Sequence, residues 1–348
     1  MDLKRSISLL LVCLLLLGVL SACSLSDLRR RAGLSGSSVE SEKLPEGEKP
    51  ELVYPKGSKN GSVRPVIYRI TGKNGQECWL FGTIHVGDDR MDRVMETLEP
   101  VLDSCTSLVV EADVVAYNDA SGFNLERTSD AAKFLARPGR TAKELMPEEL
   151  YRSSADILKS AGVRNYDLYN LAWWSSALSD AATIAGKRLS KDKGADWAIL
   201  EYWHDTAYPG VVHELEGAED QINRLLSLSD EMNLMLIRSV ADRFDDCVAQ
   251  RQRLYDVWIS GDEQSLMAEV FGEDRDLSGV SQRDRELAAQ YNKVMLDDRN
   301  ANMCAGIIDC MALGGRPFVA VGIGHLLGDN GLVALLRAKG FKVERVRY

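Results

Sequence analysis

Trp79-Leu80-Phe81-Gly82-Thr83-Ile84-His85 and Phe318-Val319-Ala320-Val321-Gly322-Ile323-Gly324-His325 share one form. In each, a short apolar run that reads as a buried strand ends in Gly-x-x-His. An aspartate follows (Asp88, Asp329), then a stretch of helical periodicity, roughly 91–102 and 331–339. The same strand–Gly-x-x-His–helix unit thus stands at both ends of one folded region. It accounts for two of the four histidines in the chain.

In an α/β sheet, residues just past the carboxyl ends of the strands line the crevice where ligands bind. Glycine at that place (Gly82, Gly322) lets the backbone turn sharply or approach a ligand closely. If the two strands are neighbours in a parallel sheet, His85 and His325 face one pocket. Neutral imidazole is a common metal ligand and a general base near neutral pH. A third apolar run, residues 107–113, ends in the carboxylates Glu111 and Asp113 at the matching place. Two imidazoles and one carboxylate form an open three-ligand site for a divalent metal.

Working outward, residues 66–70 and 78–81 read as two strands joined by a Gly- and Asn-containing hairpin loop, 71–75. Helical patterns follow near 131–135, 142–145, 147–161 and 168–189, the last containing Trp173 and Trp174 as packing residues. Gly194-Ala195-Asp196 opens a helix to about residue 203, and 209–216 reads as a strand. Long helices are expected over 229–258, 262–271 and 283–313, before the closing strand 341–347. His204 near a helix end and His213 within a strand read as structural. The alternation specifies an α/β fold: a mostly parallel central sheet with flanking helices and a large helical insertion.

Residues 1–22 have the marks of an export signal: Lys4 and Arg5, an apolar run over 7–20, then Leu20-Ser21-Ala22-Cys23. That tetrapeptide resembles a bacterial lipobox, so Cys23 is the expected lipidated amino terminus and the bilayer an expected partner. The apolar run is too short for a permanent span. Residues 23–64, rich in Ser, Gly, Pro, Glu and Lys, are expected to form a flexible tether, leaving 65–348 as one α/β domain. The formal charge of −10 argues against nonspecific nucleic-acid binding. Five cysteines remain after Cys13 and Cys23; none has zinc-knuckle spacing, and mostly buried free thiols are expected.

Residues 79–87 and 321–328 resemble the TraB/GumN family, related to bacterial pheromone-shutdown proteins and to the Tiki proteases of animals. Glu111, Gly194-Ala195-Asp196, Leu215-Glu216 and Arg299-Asn300 fit the same resemblance in the same order. Ala195 departs from it, since many members carry a bulkier apolar residue there. The resemblance implies an erythromycin-esterase/ChaN-like fold and a pocket centred on His85, His325 and Glu111. It implies a divalent metal (Mn, Co or Zn) and a metal-dependent hydrolase acting on peptides. Two roles stay open for Glu111: ligand, or general base with Asp113, Asp196 or Glu216 completing the ligand set. Arg299 is expected either to stabilise developing negative charge or to pair with Glu216 or Asp113, and Asn300 to hold a neighbouring backbone group. The alternative is a non-catalytic binding lipoprotein that captures a peptide signal, another small molecule or haem in the same pocket. The chain has no Cys-x-x-Cys-His motif, so covalent haem attachment is not expected.

Overall fold

The structure, a computed structural model, describes residues 51–56, 63–116, 140–206, 210–271 and 281–348. The export signal, Cys23 and the helix expected near 131–135 lie outside them. Six strands are present: β1 (Ile67–Thr71), β2 (Glu77–Thr83), β3 (Ser107–Val110), β4 (Val211–Glu214), β5 (Pro317–Gly322) and β6 (Lys342–Arg345). They form one sheet in the order β4-β3-β5-β2-β1-β6. β2, β5, β3 and β4 run parallel, while β1 pairs antiparallel with both β2 and β6.

The three central strands β2, β5 and β3 are buried almost throughout, as expected for parallel strands covered on both faces by helices. Their continuous apolar runs follow from that. β5 comes late in the chain yet inserts between β2 and β3. Trp79 lies opposite Phe318 and Thr83 opposite Gly322, so both Gly-x-x-His segments leave the sheet side by side.

Helix α1 (Met91–Asp103) crosses from β2 to β3. Between β3 and β4 lie α2 (Ala142–Leu145), α3 (Glu148–Ser160), α4 (Leu171–Ala185) and α5 (Ala195–Asp205). After β4 come α6 (Ala218–Ser227), α7 (Asp230–Ala241), α8 (Phe244–Ser260), α9 (Glu263–Phe271), α10 (Gln282–Asn292) and α11 (Asp298–Ala312). The short α12 (Ile323–Leu326) carries His325, and α13 (Leu332–Ala338) precedes β6. Side-chain caps start several of these: Asn170 accepts from the Trp173 amide at α4, and Ser229 from the Met232 amide at α7.

Two apolar cores result. One joins the sheet to α1, α5, α9, α11 and α13; the other is the helical insertion, with Trp174 wholly buried and Trp173 stacked on Tyr169 at its rim. α8 belongs to both. Its Cys247 packs in the insertion, while Leu254, Tyr255 and Trp258 pack in the sheet core. The Trp258 indole N–H donates to the Gly82 carbonyl at 2.8 Å, tying the insertion to the strand that leads to His85.

The structure departs from the sequence reading in several places. The helix expected over 229–258 is two helices, broken at Asp242 and Arg243, where Arg243 has φ −143° and ψ 37°. Helix α6 was not expected at all, and it reaches the candidate site. The run over 283–313 is continuous but contains one π turn, Lys293–Asp297. Residues read as tether also touch the domain: Val63 is fully buried, and Tyr54 packs edge-on against Trp79 at 5.5 Å. The five cysteines in the described residues are free, four of them buried.

Candidate functional site

β2, β5 and β3 deliver His85, His325 and Glu111 to one end of the sheet, with His325 on the middle strand's extension. His325 is fully buried, and its Nε2 lies 3.8 Å from Glu111 Oε1. His85 is near enough to influence the charge balance of both other residues.

Each histidine is oriented through Nδ1. His85 donates to Asp196, with Nδ1 and Oδ2 2.5 Å apart. Asp196 stands in the first turn of α5, which is drawn close by backbone contacts. The Ala195 N–H donates to the Ile84 carbonyl at 2.8 Å, and Gly87 and Ser190 exchange two backbone bonds. A Cβ at Gly194 would sit 2.7 Å from the His85 carbonyl carbon, so only glycine allows this approach. His325 donates to Asn300 Oδ1 at 2.6 Å, and the Asn300 amide nitrogen donates to the Asn330 carbonyl at 2.9 Å. That second bond sets the amide orientation, and hence the tautomer: His325 carries its proton on Nδ1. Among the described residues its Nε2 lone pair is buried without a hydrogen-bond partner.

Glu111 is held from two sides. Oε1 accepts the Gly322 N–H at 2.7 Å, while Oε2 accepts from Arg299 and, at 3.2 Å, from Gln221 Nε2. Arg299, about 1% exposed, also grips Glu216 through Nε and Nη2 and donates through Nη1 to the Met295 carbonyl. A π turn lies just before α11, on which Arg299 and Asn300 are buried; such bulges are frequent at functional sites. Both pairings expected for Arg299 were with single carboxylates; it bridges two, Glu216 and Glu111, and not Asp113. Asp113 instead faces His204, at 2.8 Å.

Burial alone pushes the Glu111 carboxyl up, but the Arg299 charge, the two histidines and the Gly322 amide outweigh it and hold the group at about 2. Burial, reinforced by Arg299, pushes His325 down to about 3, so its ring is neutral near pH 7. The site therefore presents neutral imidazole and ionised carboxylate.

Among the described residues no three His, Cys, Asp or Glu side chains are already grouped to hold an ion. The donor set fits one nonetheless. Two ligands each about 2.1 Å from one ion lie at most about 4.2 Å apart, and the His325–Glu111 separation of 3.8 Å falls inside that span. Histidine ligands characteristically donate their other ring N–H to a carboxylate or carbonyl. Asp196 and Asn300 supply such partners.

The sequence reading missed Gln221 and Arg224, both on α6. The signal was present: Gly217 before Ala218, apolar residues at 218, 222 and 225, and Glu219 and Asp220 in the first turn. Among the expected pocket residues, Gly82 is packed against Ile323, and Gly322 gives its amide to Glu111.

A family model described as TraB/PrgY/gumN family matches residues 66–345. The chain belongs to that family. TraB-family relatives include the proteins named "Uncharacterized protein YbaP" from Shigella flexneri and Escherichia coli (strain K12). Each is 28% identical over 273 residues, covering 77% of this chain and 90% of the relative. No solved structure matches the chain.

Proposed function

We propose that this TraB-family chain is a metal-dependent hydrolase acting on peptides, exported and held at a bilayer by acylated Cys23. His85, His325 and Glu111 are the proposed ligands. The observation that carries the reading is the buried Nε2 of His325, a lone pair directed by Asn300 and left without a partner among the described residues. A buried acceptor left unsatisfied costs about 1–3 kcal/mol, and a divalent cation is a partner that removes that cost.

A bound divalent ion would lower the pKa of its water towards neutrality and polarise a carbonyl. The chain's own groups prepare the place. Asp196 and Asn300 hold both imidazoles with Nδ1 protonated, so that Nε2 is the donating atom. Gly322 and Arg299 keep Glu111 ionised. A carboxyl held at about 2 is a weak base, which favours Glu111 as ligand over general base.

Metal analysis of the purified protein, with a peptide-library cleavage assay, tests the reading. His85→Ala and His325→Ala should each remove metal and cleavage together. A folded protein that takes up no Mn, Co or Zn, and cleaves nothing, would end it. Membrane fractionation of Cys23→Ala tests the anchor: release or retention as the uncleaved precursor supports it, and correctly cleaved, unacylated protein still in the membrane refutes it. Among the described residues no helix is long and apolar enough to cross a membrane.

One observation favours non-catalytic capture of a peptide or other small molecule: Arg299 spends its donors on Glu111, Glu216 and the Met295 carbonyl, and both Glu111 oxygens already accept hydrogen bonds. Haem gains no support from His325, whose ring is wholly enclosed. Soret absorbance with added haemin separates that outcome.

A further inference from the structure

Helix α6 brings two polar side chains to the site that the His85–His325–Glu111 arrangement uses only in part. Gln221, about 6% exposed, donates from Nε2 to Glu111 Oε2 at 3.2 Å and to Glu216 Oε2 at 3.3 Å. Two carboxylate oxygens on one side fix the amide: nitrogen faces them and Oε1 faces away. That Oε1 is buried and has no donor among the described residues. Arg224, one turn further along the same helix face, is also incompletely used. Its Nη2 stands 3.8 Å from Glu216 Oε1, beyond hydrogen-bond range, and its Nε is buried without an acceptor among the described residues. Glu216 has no need of this second cation, because Arg299 reaches both of its oxygens at 2.7–3.0 Å.

The charges point the same way. Arg299 and Arg224 balance Glu111 and Glu216. A divalent ion added to this balance would leave the inner pocket with a surplus of positive charge.

We propose that Gln221 and Arg224 form a recognition pair for the carboxyl-terminal unit of a peptide. Gln221 Oε1 accepts the last amide N–H, and the Arg224 guanidinium binds the free carboxylate. The inference rests on the peptide reading of the same site and narrows it to substrates with a free carboxyl terminus. An acceptor beside a cationic donor, one helical turn apart, is the complement of an N–H beside a carboxylate. The guanidinium fork suits that anion better than an ammonium would.

The test is binding to the full-length, metal-free protein, followed by NMR titration, so that turnover is not required. The probes are N-acetyl-alanyl-alanine, its carboxamide, and the depsipeptide in which an ester oxygen replaces the last N–H. The acid should bind about tenfold or more tightly than the carboxamide, as a charge-assisted hydrogen bond implies. It should bind several-fold more tightly than the ester. Arg224→Met should erase the acid–amide difference and Arg224→Lys restore part of it, with thermal melts confirming that both variants fold. Equal binding of acid and carboxamide, a difference that survives Arg224→Met, or no binding of any probe overturns the proposal. Discrimination without metal uptake or cleavage defeats only the hydrolase reading; cleavage without discrimination defeats only this one.

Discussion

Glu111→Gln tests the electrostatic centre of the site without reference to catalysis. The carboxylate receives three donors: the Gly322 amide on Oε1, and Arg299 and Gln221 on Oε2. A glutamine there has one oxygen and one NH2. If its oxygen serves Gly322, its nitrogen opposes the Arg299 and Gln221 donors; if it is turned round, the nitrogen opposes the Gly322 N–H. Either orientation leaves a buried donor unmatched, at about 1–3 kcal/mol. Breaking a buried ion pair outright costs about 3–5 kcal/mol, but Arg299 keeps Glu216 through Nε and Nη2. The expected loss is therefore about 2–3 kcal/mol. For a domain of this size that lowers Tm by about 4–10 °C. Urea and thermal melts in excess chelator measure it free of metal effects. Glu216→Gln and the double variant should give a coupling energy of about 0.5–3 kcal/mol, since both carboxylates share one guanidinium. If Glu111→Gln melts within about 1 °C of the parent, with no coupling to Glu216, the arginine-bridged pair is not what holds this end of the sheet.

Gly194→Ala should destabilise by about 1–3 kcal/mol, because the new Cβ meets His85 backbone at 2.7–2.8 Å; the His85 side-chain NMR resonances should shift in the same variant and stay put in Gly162→Ala, a site open to solvent. Burial opposes ionisation of Asp88, but Arg90 and Tyr255 more than compensate and hold it at about 2. A depressed carboxyl stabilises the fold above its unfolded pKa, and that stability is lost as pH falls through the folded one. The parent should therefore lose up to about 2 kcal/mol between about pH 4 and pH 2, and acid titration of Asp88→Asn should lack that component. A chain beginning at Val66 should melt several degrees below one beginning at Glu51, because Arg69 bonds the Tyr54 hydroxyl and Arg64 donates to the Ile259 carbonyl; equal melting temperatures would show these contacts to be idle.

Much of this architecture was legible because the residues that set it are local in sequence. Buried parallel strands are continuous apolar runs, so β2, β3 and β5 were visible, and so were the Gly-x-x-His and glutamate residues placed just beyond them. The break at Asp242 and Arg243 was not legible. It has no glycine or proline, and apolar residues continue at helical spacing on both sides. The π turn was hidden for a similar reason, since one extra residue in a helical run leaves the composition unchanged. Arg299 was visible as a residue, but its two carboxylate partners lie 83 and 188 positions away. Nothing local distinguishes one partner from two.

The strand order carries a consequence for how the site comes into being. β2 and β3 are near neighbours in sequence, yet they do not pair; β5 occupies the place between them and bonds to both. Glu111 depends on that insertion directly, since the amide it accepts belongs to Gly322 at the end of β5, 211 positions away. His325 depends on it too, and its Asn300 partner comes from α11, the helix before β5. Before β5 docks, His85 has Asp196 within reach, but Glu111 lacks the Gly322 amide. The carboxylate is then left next to an open strand edge without that donor. Contacts at such sequence separation form late, because loop closure precedes any gain from them. The matched histidines at the two ends of the domain thus make the site a product of complete folding: a fragment ending before residue 317 contains His85, Asp196, Glu111 and Arg299 but neither His325 nor the Gly322 amide.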